Sequence, residues 1–353
     1  MNINKSNIDE NIKVPPQLND YILKGFEKGV SDKKKDLKYK RMRIIKRTAI
    51  VSVLGVTLIG IANPAMASKI PLVGSIFNEI EKNIRFPGNY SQYATSVNET
   101  VKSKGISATI SEVLCDGQSL YVTYEIESDK SIKNMVQGNQ LMLEEEYNIT
   151  SFSNEELIQN NIGGLEGKLV DDYTFIGVRK FDLLSLNTEI PNEFEFKTKT
   201  EVMGEFNGNE NNLVFGTWAF KVPVKVNKNL RNEVDLNYNI GNGININSLS
   251  ITPFDMALKS NIEPDGSISK EGANEVRYEV KLYDETKTEI PMVYGSSDGE
   301  LTVQTFKLPS KDTENIRLVI NKMYLKRESA GGEEYTYTTE KTETILDKVV
   351  SIK

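Results

Sequence analysis

The residues that could do covalent or acid–base chemistry in this 353-residue chain are few, and their spacing does not favour catalysis. There is no histidine and a single cysteine, Cys115. That removes the Ser-His-Asp triad, the Cys-His dyad, every His-ligated zinc site and any intrachain disulfide. Cys115 is followed by Asp116-Gly117 and has no basic neighbour to lower its pKa, so it reads as a buried or turn thiol. Gly163-Gly164-Leu165-Glu166-Gly167 is glycine-rich but lacks the Lys-Ser/Thr ending of a phosphate loop, and it reads as a turn. Glu144-Glu145-Glu146 and Asp171-Asp172 could donate to calcium or to sugar chemistry. No calcium-loop spacing surrounds them, so they read as solvated strand ends or loops. The expectation is a protein that is not an enzyme and carries no metal and no cofactor.

Recognition chemistry is easier to place, at the N-terminal end. Val14-Pro15-Pro16 leads into a stretch where Leu18, Tyr21, Ile22, Gly25, Phe26 and Gly29 recur at intervals of three or four residues. Proline suits the first turn of a helix, and this spacing puts the six residues on one helical side. So short a segment cannot enclose a core, and an apolar face with nothing of its own to cover calls for a partner groove. A juxtamembrane helix lying against the bilayer would present the same face.

The elements that must position this face stand next to it in the chain. Nine basic residues (Lys33, Lys34, Lys35, Lys38, Lys40, Arg41, Arg43, Lys46, Arg47) precede residues 48–68, which carry no charge. As a helix those residues would be about 31 Å long, matching the roughly 30 Å hydrocarbon core of a bilayer. The positive-inside rule then keeps residues 1–47 in the cytoplasm and exports the chain beyond the span. Asn63-Pro64 would end the helix at the outer face. Ala65-Met66-Ala67 resembles a signal-peptidase site, but the long basic segment and long apolar run favour an uncleaved anchor. Residues 1–68 carry 13 Lys and Arg against 6 Asp and Glu, and the rest of the chain carries 30 against 44. So acidic an exported part is a poor nucleic-acid binder. The lone cysteine suits a bacterial surface protein. In a eukaryotic ectodomain Asn98-Glu99-Thr100 and Asn148-Ile149-Thr150 would be glycosylation candidates.

Beyond the span the pattern is β. Leu120, Val122, Tyr124 and Ile126 alternate with Tyr121, Thr123, Glu125 and Glu127, as in a half-buried strand. Ile106, Ala108 and Ile110 alternate likewise, and Asp116-Gly117 between them signals a hairpin. Further strands are expected at 173–181, 193–202, 213–226, 234–240, 244–251, 276–283, 301–308, 316–325 and 335–350. Asn242-Gly243, Asp265-Gly266 and Gly331-Gly332 punctuate the later ones. Trp218 is expected in the core, and Pro223 on the opposite face argues for an edge strand or a bulge. The fold class is therefore mainly β. The organisation predicted is a cytoplasmic tail (1–47), a transmembrane helix (48–68), a juxtamembrane linker or helix (69–92), a first β-sandwich (93–227) and a second (228–353). In the linker Leu72, Val73, Ile76, Phe77 and Ile80 share a helical face that could lie on the bilayer or on the first sandwich.

The Pro-Pro-x-Leu-x-x-x-Ile-x-x-Gly tail, the basic stop, the single span and Ile70-Pro71-Leu72-Val73-Gly74-Ser75-Ile76-Phe77 resemble a family of Gram-positive membrane proteins with a domain of unknown function. The resemblance continues through Ser96-Val97-Asn98-Glu99-Thr100 and Lys104-Gly105-Ile106, and the second half resembles the immunoglobulin-like module that often accompanies that domain. Members are commonly encoded beside extracytoplasmic-function sigma factors and are regarded as anti-sigma factors. The resemblance implies a single-pass cell-membrane regulator, N-terminus cytoplasmic and C-terminus extracytoplasmic, whose tail captures a sigma factor while immunoglobulin-like modules meet an unidentified envelope ligand. The zinc-binding His-Cys-Cys pattern of other anti-sigma domains is missing, so docking would differ. The competing expectation is a surface binding or adhesion protein with a simple membrane anchor, using exposed aromatics such as Tyr335 and Tyr337.

Overall fold

In the computed structural model, the described residues are 75–82, 84–159, 164–204, 212–241, 243–262, 269–271, 274–297, 300–331 and 334–353. The expected partner-binding face at Leu18, Tyr21, Ile22, Gly25, Phe26 and Gly29 and the expected span at 48–68 lie outside them. Among the described residues no helix is long and apolar enough to cross a membrane. Residues Leu72–Lys353 form a compact unit, and its elements are almost all strands.

The first half contributes ten strands: β1 (Thr95–Ser103), β2 (Ile106–Cys115), β3 (Ser119–Ser128), β4 (Val136–Gln137), β5 (Gln140–Thr150), β6 (Ile158–Gln159), β7 (Gly164–Asp171), β8 (Thr174–Asp182), β9 (Glu193–Gly204) and β10 (Leu213–Lys225). They join in one sheet of order β1-β2-β3-β8-β7-β5-β9-β10, with β4 on β5 and β6 on β8. The sheet is continuous because β5 changes partners along its length. Gln140–Met142 pair with β7, and the residues from Leu143 to Thr150 pair with β9 after bulges at Glu144, Glu145 and Tyr147. Bulges bend a strand, and here they turn the sheet back on itself. The two ends then approach: Thr217 N–H donates to Ser103 Oγ at 3.1 Å, and Trp218 Nε1–H to the Ile106 carbonyl at 3.1 Å.

Inside the curl lie Ile106, Ile110, Leu120, Val122, Phe175, Phe181, Phe196 and the fully buried Trp218. The alternation read in β2 and β3 holds for this inner face. The outer face departs from expectation, because Tyr121 and Thr123 are also buried. Their cover is the segment 75–94. It opens with a five-residue helix, α1 (Ile76–Ile80), whose Phe77 and Ile80 pack with Ile84 and Tyr90 onto Leu114, Tyr121, Ile176 and Val178. Of the two surfaces open to this linker, the sheet receives it.

Two local expectations are corrected. Gly164 to Gly167 begins strand β7 and is no turn, while Gly163 lies outside the described residues. A Cβ on Gly167 would collide with the Ile176 carbonyl oxygen, so the glycine is there for close approach of β7 and β8. Glu144-Glu145-Glu146 lies within β5, and the Glu145 side chain is buried in a two-bond pair with Arg179 at 2.5 and 2.8 Å. Asp171-Asp172 does sit at an exposed turn, where Asp171 Oδ1 accepts from Tyr173 N–H at 2.8 Å. Pro223 is exposed on β10, the end strand of the sheet order, and a bulge between Phe215 and Trp218 lies on the same strand.

The second half has two five-stranded sheets. One holds β11 (Asn232–Gly241), β12 (Ile244–Ile251), β13 (Met256–Ser260), β18 (Thr302–Phe306) and β17 (Met292–Ser297). The other holds β14 (Ser269–Glu271), β15 (Asn274–Tyr283), β16 (Glu289–Ile290), β19 (Asn315–Gly331) and β20 (Glu334–Ser351). They share one core: Ile246, Leu249, Met256, Leu258 and Phe306 from the first meet Leu282, Ile316, Leu318, Ile320 and Val350 from the second.

The Trp218 indole closes the curled sheet through both packing and a hydrogen bond. Trp218→Phe keeps most of the ring but strands the Ile106 carbonyl, and is expected to cost about 1–2 kcal/mol; Trp218→Ala should cost about 3–5 kcal/mol. Urea unfolding of residues 72–353 checks both.

Candidate functional site

The two halves meet through a buried polar centre, built on a hairpin turn, a strand and a reverse turn. Asp116 and Gly117 occupy the β2–β3 turn, with Gly117 at φ +82°, a left-handed conformation that suits glycine. Asp116 Oδ1 accepts from Gln118 N–H at 2.8 Å and Ser119 N–H at 2.7 Å, so its side chain folds over its own turn. β8 supplies two neighbouring cations on opposite faces. Arg179 lies on the side of Phe175 and Phe181, inside the first half, and Lys180 on the side of Ile176 and Val178, facing out. The second half supplies Phe254 and Asp255 from the turn between β12 and β13, held by Thr252 Oγ1, which accepts from the N–H groups of Phe254 at 3.2 Å and Asp255 at 3.3 Å.

Asp255 is fully buried between the halves. Lys180 Nζ pairs with its Oδ2, Gln118 Nε2 donates to Oδ1 at 2.5 Å, and Tyr121 OH reaches Oδ2 at 3.4 Å. The Lys180 ammonium also lies 4.0 Å from the centre of the Phe86 ring, a cation–π contact supplied by the segment 75–94. The same segment clasps Phe254. Tyr90 stacks on it with centroids 4.2 Å apart and on Phe77 at 5.4 Å, while Tyr121 meets it edge-on at 5.5 Å. Tyr90 OH donates to the Phe86 carbonyl at 2.6 Å. A Cβ on Gly88 would stand 2.8 Å from Phe254, so glycine permits the ring's approach.

Three carboxyls, Asp116, Asp182 and Asp255, surround one buried lysine. Burial, followed by the Asp255 charge, pushes the Asp116 carboxyl up to about 6, and burial pushes Asp182 up to about 6 although Leu184 N–H donates to it at 2.8 Å. Burial, then Asp255, also raises the Tyr90 and Tyr121 hydroxyls well above their ordinary range. Cys115 beside this centre is buried, and burial lifts its thiol far above the range in which a thiolate forms, so it is no nucleophile. Among the described residues no group of three His, Cys, Asp or Glu is placed to hold a metal ion. The arrangement clamps three parts of the chain together. Sequence reading missed it because Asp116, Lys180 and Asp255 are far apart along the chain. The only local signal was the Asp-Gly turn.

A cleft of 430 Å³ opens beside the centre, lined by Gly117, the loop at 183–190, Lys228, Arg231, Glu233 and Lys259.

Comparisons with known proteins bear on the front of the chain. Residues 38–128 match the family described as "Domain of unknown function (DUF4179)", a stretch running from within the basic cluster through the uncharged run and the segment 75–94 to the end of β3. A solved structure described as "The crystal structure of the conserved domain protein from Bacillus anthracis" aligns at 18% identity over 80% of this chain and 100% of its own, with a TM-score of 0.48. No curated protein matches the chain.

The buried centre makes two outcomes measurable. Lys180→Met leaves Asp255 uncompensated and should destabilise residues 72–353 by about 3–5 kcal/mol, whereas Lys180→Met with Asp255→Leu should cost clearly less than the single change. Chemical denaturation of the three proteins decides it. The second concerns pH. Carboxyls whose folded pKa lies above the usual 3.8 hold their protons longer in the folded state, so their contribution is fully present at low pH and is lost as pH rises through about 6. Asp116→Asn and Asp182→Asn should each flatten the decline in stability between about pH 4 and pH 6.5, by on the order of 2–3 kcal/mol. Urea midpoints across that window, compared with the unsubstituted protein, give the measurement.

Proposed function

We propose that the chain is a single-pass cell-membrane regulator whose cytoplasmic tail captures an extracytoplasmic-function sigma factor, while an extracytoplasmic part of two immunoglobulin-like sandwiches meets the envelope. The observation that carries this reading is the order of features: an apolar face from Leu18 to Gly29, a basic stop at 33–47, an uncharged run at 48–68, and then a segment that packs into the β structure. Only seven residues, 69–75, separate the uncharged run from α1. In this reading the tail helix occludes the sigma factor through Leu18, Tyr21, Ile22, Gly25, Phe26 and Gly29, and residues 48–68 hold the lipid bilayer. Release comes through proteolysis or a change in the span, because one helix transmits a conformational signal poorly. No cofactor, metal or nucleic-acid contact enters the scheme.

The match of 38–128 to a domain of unknown function supports the family side of this reading and is silent on the partner. A second reading, a surface adhesion protein with a simple anchor, draws on Tyr337, which is 42% exposed on the long β19–β20 hairpin. The side chain of its expected companion Tyr335 lies outside the described residues.

Residues 1–47 used as bait in a cytoplasmic lysate of the source cell should retain a sigma factor, and the same bait with Leu18→Asp and Ile22→Asp should lose it. If neither bait retains one, and exchanging residues 1–47 for an unrelated basic anchor leaves function intact, the adhesion reading takes its place.

A further inference from the structure

A cleft lies between the halves, beside the turn at Gly117. Its 430 Å³ falls in the range of about 300–1,000 Å³ typical of small-ligand sites, which favour junctions between domains. Four stretches of chain wall it: the turn at Gly117, the loop at 183–190, the connector at 228–233 and Lys259 of β13. Its charge is uneven. Arg231 is already committed, through Nε to Ser250 Oγ at 2.7 Å, through one terminal nitrogen to the Gly117 carbonyl at 3.2 Å, and through the other to Glu233 at 2.7 Å. It therefore braces the wall. Asp182 beneath is likewise engaged, by Leu184 N–H at 2.8 Å and by Ser296 Oγ at 3.5 Å. Lys228 and Lys259 enter no close ion pair among the described residues; Lys259 is half-buried, and its charge acts on the Asp182 carboxyl. The lining also holds two exposed carboxylates, Glu189 and the Arg231-paired Glu233, the exposed Thr188, and the apolar side chains of Leu186 and Ile190.

Two ammonium groups without a close carboxylate partner, beside the apolar side chains of Leu186 and Ile190, suit a ligand with one anionic end. We infer that this cleft binds a small organic acid, a carboxylate on a short apolar body, held at the charged end by Lys228 and Lys259 and along its body by Leu186 and Ile190. A short fatty acid and the C-terminus of a short peptide both carry that chemistry. The inference deepens the regulatory reading by naming the class of ligand its extracytoplasmic part takes, and its test does not depend on that reading.

The full chain in lipid nanodiscs is titrated calorimetrically with hexanoate, with N-acetyl-alanyl-alanine and with hexanamide, against empty nanodiscs. At least one acid should bind saturably, and at least about tenfold more tightly than the uncharged amide. Lys228→Gln with Lys259→Gln should weaken that acid at least about tenfold, and so should Thr188→Trp, which places an indole into the cleft from an exposed rim position. Hexanoate as the better ligand points to a lipid source, and the dipeptide to a peptide source. The inference is overturned if neither acid saturates, if the amide binds as well, or if variants with unchanged circular dichroism bind like the parent. Acid binding without sigma-factor capture would sink the regulatory reading and leave the cleft standing; capture without acid binding would do the reverse.

Discussion

Between the two halves, the Lys180 ammonium and the Asp255 carboxylate are held together with almost no access to water. An ion pair so placed has lost its hydration on both sides and survives only while its surroundings keep water out and supply the remaining hydrogen bonds. The suppliers and the pair itself come from separate stretches of chain. Gln118 and Tyr121 come from β3 and the turn before it, Phe86 from the segment 75–94, and Asp255 itself from a turn of the second half. Loosening any one of them would wet the pair, so the seating of the second half on the first depends on all of them at once.

The same dependence explains why the first half is buried on both faces of its central strands. A strand whose side chains alternate between a core and solvent needs apolar residues on one face only. β8 reads as buried at every position, with Phe175 and Phe181 turned inward and Ile176 and Val178 turned outward. Its two adjacent cations divide in the same way. Arg179 is answered inside the first half by Glu145, and Lys180 outside it by Asp255, so one dipeptide serves both the core and the junction. The outer apolar face exists because Phe77, Ile80, Ile84 and Tyr90 cover it.

Local pattern made much of the fold legible. The strand and inner face from Leu120 to Ile126, the Asp116-Gly117 hairpin, the core position of Trp218 and the exposed edge position of Pro223 are each implied by a few neighbouring residues and are found, whereas the solvated outer face expected at Tyr121 and Thr123 is buried. β5 was illegible because its three consecutive glutamates look solvated until Arg179 arrives from another strand to neutralise one of them. β7 was illegible because its glycines signal close approach as well as they signal a turn. The junction could not be read at all, since its groups are brought together by tertiary structure and no periodicity links them. Sequence reasoning looked for function in the tail, at residues outside the described ones; the groups around Asp255 became visible only through contacts.

A cluster with more carboxyls than cations is a poor way to maximise stability, because well-packed apolar residues of similar volume usually serve a buried site as well or better. Its consequence is sensitivity to protons, because burial pushes the Asp116 and Asp182 carboxyls up to about 6, and an oily junction would not respond to pH. Tyr90 extends that sensitivity along the chain, since its ring is stacked between Phe254 of the second half and Phe77 of α1. Displacing Phe254 therefore removes cover from Tyr90, which itself stacks on Phe77, and α1 begins just past the seven residues that follow the uncharged run. In the proposed regulator, release of α1 would lengthen the free chain between the β structure and the span. At about 3.3–3.6 Å per extended residue, freeing 75–94 would add up to about 70 Å of reach. Exposing a stretch of chain is a signal that a single helix need not transmit by moving, and it is the form of change a protease could read.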